Sequence, residues 1–234
     1  MQGYGNESLL DWSGPLLSGA LVTLQIAVAA YAIGLILGLL GAMAKLSGIP
    51  PLRAAATAYS TVVRAVPELL LIILLYYAGQ QALNSLLQAW GVAQPVEISG
   101  FAAAIGVLAF VEGAYLTEIF RGAIVAIPRG HIEAADAFGM SRWKRFRRIV
   151  LPEMLPNALP GMSNIWLILV KDTALVSVVG FEELFFTAQQ AAASTRSYFI
   201  FYAAAGALYL VMTLGSNALF GRAEQLVRRG QPGT

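Results

Sequence analysis

HIEAADAFGMSRWKRFRRIVLP, residues 131–152, is a charged island set between long apolar stretches, and its surroundings decide the fold. The chain has 234 residues, of which 58% are hydrophobic and only 12% charged. A soluble domain of that composition would lack polar surface, so the chain reads as an all-α polytopic membrane protein. Its length supplies about five spans of roughly 20 residues each with their connections. The expectation is one membrane domain, 1–234, with no room for a nucleotide-binding module. The absence of Cys excludes disulfides and thiolate metal sites. The opening MQGYGNESLLDWSGP carries no Lys or Arg, and the apolar run after it exceeds a signal-peptide core, so it reads as a retained first span.

Working outward from the island, apolar runs fall at about 16–44, 55–78, 99–122, 157–180 and 199–220. Turn chemistry separates them: Gly48-Ile49-Pro50-Pro51 after the first, Gly91 to Gly100 with Pro95 after the second, and the island after the third. Gly34, Gly38 and Gly41 give the first run a small-residue face for close helix packing. Orientation follows from the basic residues, which are enriched in cytoplasmic loops. With the amino terminus periplasmic and the carboxyl terminus cytoplasmic, Lys45, Arg53, Arg129, Arg142, Lys144, Arg145, Arg147, Arg148, Arg222, Arg228 and Arg229 all fall inside. Only Arg196 falls outside, where Glu7, Asp11, Glu97, Glu182 and Glu183 gather.

The island is then a cytoplasmic structure. Glu133 to Phe138 has the Ala-rich composition of a short helix, Gly139 offers a left-handed stop, and Ser141 caps a second helix running to Leu151. Ile132, Ala135, Phe138 and Met140 add apolar surface that a merely topogenic loop would not need. A protein groove is the expected partner.

Glu133-Ala134-Ala135, three residues, Gly139, nine residues and then Ile149-Val150-Leu151-Pro152 resembles the EAA loop of permease subunits of ATP-binding-cassette importers. Flanking stretches narrow the resemblance. VVRAVPELL (62–70), AYLTEIFRG (114–122) and LVKDTALVS (169–177) are similar to the polar-amino-acid permeases, above all the Q-type subunits for histidine, lysine, arginine, ornithine and opines. Ala65 stands where that family commonly has Gly, Ala174 where it has Ser, and Glu112 where it has a small or uncharged residue. The resemblance implies a type I ABC importer transmembrane fold in the bacterial inner membrane. Its implied partners are two ATPase subunits holding ATP-Mg, a second and different permease chain, and a periplasmic solute-binding protein; membrane lipid surrounds it and nucleic acid is not a partner. No phosphate-loop pattern G-x-x-x-x-G-K-[ST] occurs, so this chain holds no cofactor and nucleotide energy enters through the loop at 128–152. Glu133, Ala134, Ala135 and Gly139 are the expected coupling residues: the alanines permit close approach, Gly139 sets the angle between helices, and Glu133 meets a basic rim.

Charges within spans face protein or water and mark pathways. By helical rise Arg64 lies roughly 14 Å into its span, and Glu112 and Lys171-Asp172 about 20 Å into theirs. Pro67 frees the carbonyl of Val63, so the second span is expected to bend there and expose polar backbone. A cationic amino acid needs a cation for its carboxylate, met by Arg64, and acids for its ammonium and side chain, met by Glu68, Glu112 or Asp172. Two readings stand open for Arg64 and Glu68, substrate contact or an i, i+4 pair satisfying itself. Lys171 is expected to pair with a neighbouring span, and Glu118 with Arg121 to form a structural or gating pair. FEELFF (181–186) reads as an outer amphipathic helix that gates or meets the binding protein, His131 as polar surface, and Trp143 and Trp166 as interfacial aromatics. Arg145, Arg147 and Arg148 are read as meeting lipid phosphate. An intramembrane enzyme is not expected, since the sole histidine, His131, falls in the cytoplasmic loop and Ser163 has no histidine at its depth. A self-sufficient ion-coupled transporter or channel is the rival function.

Overall fold

The computed structural model describes residues 9–92 and 94–228, which are helical throughout their regular segments. In chain order these are α1 (Ser13–Leu46), α2 (Pro50–Ala65), α3 (Glu68–Ala89), α4 (Gly100–Val125), α5 (Arg129–Ala137), α6 (Arg142–Arg145), a π-helical turn (Phe146–Val150), α7 (Leu151–Asp172), a 3₁₀ segment (Thr173–Val179), α8 (Leu184–Thr195) and α9 (Tyr198–Arg228). Five segments are long and apolar enough to cross a membrane: Ser13–Leu46, Glu68–Ala89, Gly100–Val125, Arg142–Val179 and Tyr198–Val227. Glu7 and Arg229, counted above in the charge asymmetry, lie outside the described residues.

The centre of the fold is α1 against α4, and glycine sets their separation. A Cβ at Gly38 would lie 2.5 Å from the Leu116 Cβ, and one at Gly41 would overlap the Thr117 hydroxyl. The face formed by these two glycines on α1 therefore allows the close packing its spacing implied. Gly113 reciprocates from α4, where a Cβ would meet Leu37 and the Tyr59 hydroxyl at 2.9 Å. Around this pair one core joins α1, α4 and α7 through Ile26, Ala30, Leu108, Leu116, Met154 and Leu169. A second cluster binds α8 and α9 to the start of α1 through Leu16, Leu184, Ala188 and Phe201.

The second apolar run differs from expectation. It is divided into two helices instead of one bent span, because Pro67 has no N–H and drives Val66 into extended conformation (φ −97°, ψ 139°). The apolar crossing segment begins at Glu68, and α2 is left outside it with only Ala56, Ser60 and Val63 buried. The island also differs in its second half. Ser141 caps α6 by accepting from the Lys144 N–H, but the helix does not stop near Leu151; it passes through the π turn directly into α7. Pro152 cannot donate to the carbonyl of Arg148, and the widened turn absorbs that missing bond. At its far end α7 stops at Asp172, earlier than the expected 180, and tightens into the 3₁₀ segment.

Candidate functional site

Glu112 sits near the middle of α4 with no exposed surface, and neither carboxylate oxygen has a hydrogen-bond partner. Its electrostatic neighbours are Asp172, at the end of α7, and Glu68, at the start of α3. Asp172 and Glu68 come within hydrogen-bonding reach of each other, and one Asp172 oxygen is also buried without a partner. Tyr31 lies within electrostatic reach of Glu112, yet its hydroxyl donates 2.8 Å to the Met162 carbonyl instead. Three helices thus bring three carboxylates together; Lys171 lies within electrostatic reach of Asp172, but among the described residues no salt bridge closes on any of the three. Leaving a charged carboxylate buried and unpaired costs several kcal/mol, roughly 3–5 when a partner is missing.

The break at Val66 and Pro67 shapes this cluster. It places Arg64 in the last turn of α2 and Glu68 in the first turn of α3, each complementing its helix dipole. The i, i+4 pairing considered for them requires a continuous helix and is not formed. The Arg64 guanidinium lies instead 5.8 Å from the centroid of the Tyr115 ring, a cation–π contact, with the residue as a whole exposed. Lys171 is exposed too and makes no ion pair among the described residues, contrary to the expected interhelical pair.

One and a half turns further along α4, Glu118 is a hub. Arg121 Nε donates to it at 2.9 Å, Ser60 Oγ at 3.1 Å, and Lys45 Nζ forms a salt bridge to it while also donating 2.8 Å to Ser60. The expected Glu118 and Arg121 pair is therefore part of a network joining α1, α2 and α4. Lys45 and Ser60 were not foreseen in it; Lys45 carried only a topological signal, and Ser60 none.

The island forms a helix, turn and helix. Gly139 adopts φ +69°, Met140 N–H donates to the Ala135 carbonyl and Gly139 N–H to Asp136, which is a Schellman stop. Glu133, Ala134 and Gly139 are exposed, whereas Ala135 is buried within the chain. Ala135 packs within the chain, on the face of α5 turned to α6 and the π turn. The residue offered outward is Phe138, 84% exposed. An ion pair and a hydrogen bond brace the unit: Asp136 with Arg145, and His131 Nδ1 with Glu153 in the first turn of α7 at 2.8 Å. His131 is thus a tether from α5 to α7 as well as surface.

The outer end also departs from expectation. FEELFF is no amphipathic helix, since α8 begins only at Leu184 and Glu183 is its cap. Glu183 is fully buried and accepts from Phe186 N–H at 2.9 Å, Thr23 on α1 at 3.0 Å and Tyr209 on α9 at 2.9 Å. This three-helix clamp was invisible because its donors are scattered over the sequence. Trp166 is likewise buried, packed edge-on to Tyr31 at 5.3 Å, and is not an interfacial aromatic, whereas Trp143 is 68% exposed.

Five crossing segments, a buried acidic cluster and a braced charged helix outside the spans define a membrane transport subunit driven from outside its own chain. The chain belongs to the family of binding-protein-dependent transport system inner membrane components, whose model matches residues 34–229. It is 45% identical over 211 residues, 90% of this chain and 92% of the relative, to the histidine/lysine/arginine/ornithine transport system permease protein HisQ of Escherichia coli. The octopine transport system permease protein OccQ of Agrobacterium tumefaciens is 41% identical over 98% of this chain and 96% of its own length. Among solved structures, a chain of an amino acid ABC transporter crystallised with histidines superposes with a TM-score of 0.77 at 32% identity, covering 93% of this chain and 96% of that one. The fold is that of type I ABC importer permeases, and the chain is a multi-pass inner-membrane transport component, not an enzyme. Membership implies a separate ATPase subunit and a solute-binding protein as partners.

Proposed function

We propose that this chain is the permease subunit of an ATP-driven importer of cationic amino acids such as arginine, lysine, histidine and ornithine, or of opines. The observation that carries the substrate class is Glu112: a carboxylate at zero exposure with both oxygens unpaired, flanked by Asp172 and Glu68. An ammonium or guanidinium entering there makes charge-assisted hydrogen bonds in a dry site, the strongest polar contacts available to it. Arg64, on its Tyr115 face, is positioned for the carboxylate end of the solute. The names of the relatives support the same class of solute.

In the proposed arrangement the amino terminus faces the periplasm and the carboxyl terminus the cytoplasm, following the positive-inside asymmetry. A different permease chain completes the pathway, and two ATPase subunits carrying ATP-Mg receive Phe138, Glu133, Ala134 and Gly139 in a groove. Closure of the ATPases pulls α5; the Asp136 to Arg145 and His131 to Glu153 pairs pass that displacement to α7, and the span rocks. The Glu118 hub holds the inner ends of α1, α2 and α4 together as the fixed body against which α7 moves. The rival of a self-sufficient secondary transporter has no support from a family whose transport depends on a binding protein.

Reconstitution tests the reading. Proteoliposomes containing this chain, its companion permease and the ATPase should accumulate arginine only with ATP-Mg and the binding protein present. Arginine uptake by this chain alone under an ion gradient refutes it.

A further inference from the structure

The segment joining the coupling unit to α7 has two faces. On one, Arg145 pairs with Asp136, and Phe146, Ile149 and Val150 are partly buried. On the other, Trp143, Lys144, Arg147 and Arg148 are all exposed and line a cleft of about 510 Å³. The i, i+4 spacing of Trp143 with Arg147 and of Lys144 with Arg148 stacks them as two adjacent columns. Trp143 is held over Phe146, ring centroids 5.9 Å apart and 23° between planes. Unlike Arg145, the three cations of the cleft make no ion pair among the described residues. Three positive charges around one concavity, with an indole at its edge, call for an anion that also carries apolar surface.

Depth identifies the source. The crossing segment runs from Arg142 to Val179, so the cleft residues occupy its first turns, at the membrane surface. If Leu151 marks the core's edge, Arg148 lies about 5 Å and Arg147 about 6 Å beyond it. That is the headgroup layer, roughly 5–8 Å thick on each side. Lys144 and Trp143, about 10–12 Å away along the axis, reach back toward the same level through long side chains.

We infer that this cleft binds the phosphate headgroup of an anionic phospholipid of the inner leaflet. The leaflet assignment rests on the orientation proposed above; the binding does not. The bound lipid fixes the joint between the coupling helix and α7 at the membrane surface, so that displacement of α5 tilts α7 instead of being lost in the connecting segment. Each cation near an anionic surface contributes about a fivefold preference, so three acting additively predict a preference for the anionic lipid of up to about a hundredfold.

The assembled transporter in nanodiscs, fluorescence of Trp143 taken as the difference between the parent and Trp143→Phe, is quenched with brominated phosphatidylglycerol or brominated phosphatidylcholine at equal mole fraction. Preferential quenching by phosphatidylglycerol is expected, abolished in Lys144→Gln/Arg147→Gln/Arg148→Gln and unaffected by inorganic phosphate. Equal quenching by both lipids overturns the inference, as does a preference that survives in the triple variant. Protection of Trp143 by inorganic phosphate assigns the cleft to a soluble anion, and loss of lipid access whenever the ATPase is bound assigns it to a protein contact; each also overturns it. Should the triple variant fail to insert, the two lipids compared on the unmodified protein decide the matter. None of these readouts needs transport, so their failure leaves the importer proposal standing, and failed ATP-dependent uptake leaves them intact.

Discussion

Replacing Gly139 by Ala should uncouple ATP hydrolysis from transport while leaving the membrane fold intact. Gly139 holds φ +69°, and a Cβ built there meets no atom within 4 Å. The substitution thus carries no packing cost inside the chain and acts only through the backbone. Left-handed conformation costs an L-residue roughly 1–2 kcal/mol, which shifts the turn away from its present angle by about 5- to 30-fold. Asn tolerates this conformation much better and serves as the control. In proteoliposomes, with arginine uptake and ATPase rate measured together, Gly139→Ala should lower solute moved per ATP by about that 5- to 30-fold, and Gly139→Asn should restore most of it. Parent-like coupling in both variants refutes the lever. Equal damage from Ala and Asn assigns Gly139 to steric contact with the partner, not to the angle.

Glu112→Gln should raise the half-saturating arginine concentration by about 10- to 100-fold, one charge-assisted contact, while thermal stability stays level because no hydrogen bond of Glu112 is lost; unchanged affinity would take Glu112 out of the site. Lys45→Met should cost roughly 1–3 kcal/mol by stripping the Glu118 hub of its most buried cation, and adding Glu118→Gln should recover part of that loss in chemical unfolding. Independent additive losses would mean the hub is not one unit. Glu183→Ala orphans donors from Thr23, Tyr209 and Phe186 and should lower stability by about 3 kcal/mol or more, read as the detergent-solubilised melting transition; Tyr209→Phe should cost only about 1 kcal/mol. A Glu183→Ala protein melting like its parent would show that the clamp carries no stability.

What was legible in the sequence had a local signal. Apolar length announced the crossing segments, the spacing of Gly34, Gly38 and Gly41 announced a packing face, and Gly139 announced its left-handed turn because composition and position both pointed there. Pro67 was recognised, but its effect on Val66 was underestimated: within a continuous apolar run, hydropathy does not distinguish a bent helix from two helices. Misreading Trp166 and Glu183 had the same origin. Glu183 lies just past the end of the run 157–180 and Trp166 well inside it, but each is buried by helices distant in sequence, which no local pattern reveals. Lys45 with Glu118, 73 residues apart, could not be paired without knowing that α1 and α4 lie together on glycine.

The break at Val66 and Pro67 explains how the coupling unit can govern a site far from it. Because α2 ends before Glu68, the acid on α3 is carried by an element separate from the Glu118 hub that ties α1, α2 and α4. Asp172 terminates α7, whose first turn is tethered to α5 through Glu153. One helix of about 33 Å therefore has the drive at one end and an acid of the cluster at the other. In the proposed mechanism a rocking of about 10° moves Asp172 by roughly 6 Å relative to Glu112 on the fixed body. Such a displacement takes the two carboxylates out of shared contact with one cation, so affinity falls as the pathway reopens. In that proposal the buried acids and the braced charged island lie at opposite ends of α7, and Pro156 and Pro160 inside it are the points where its stiffness would be lost first.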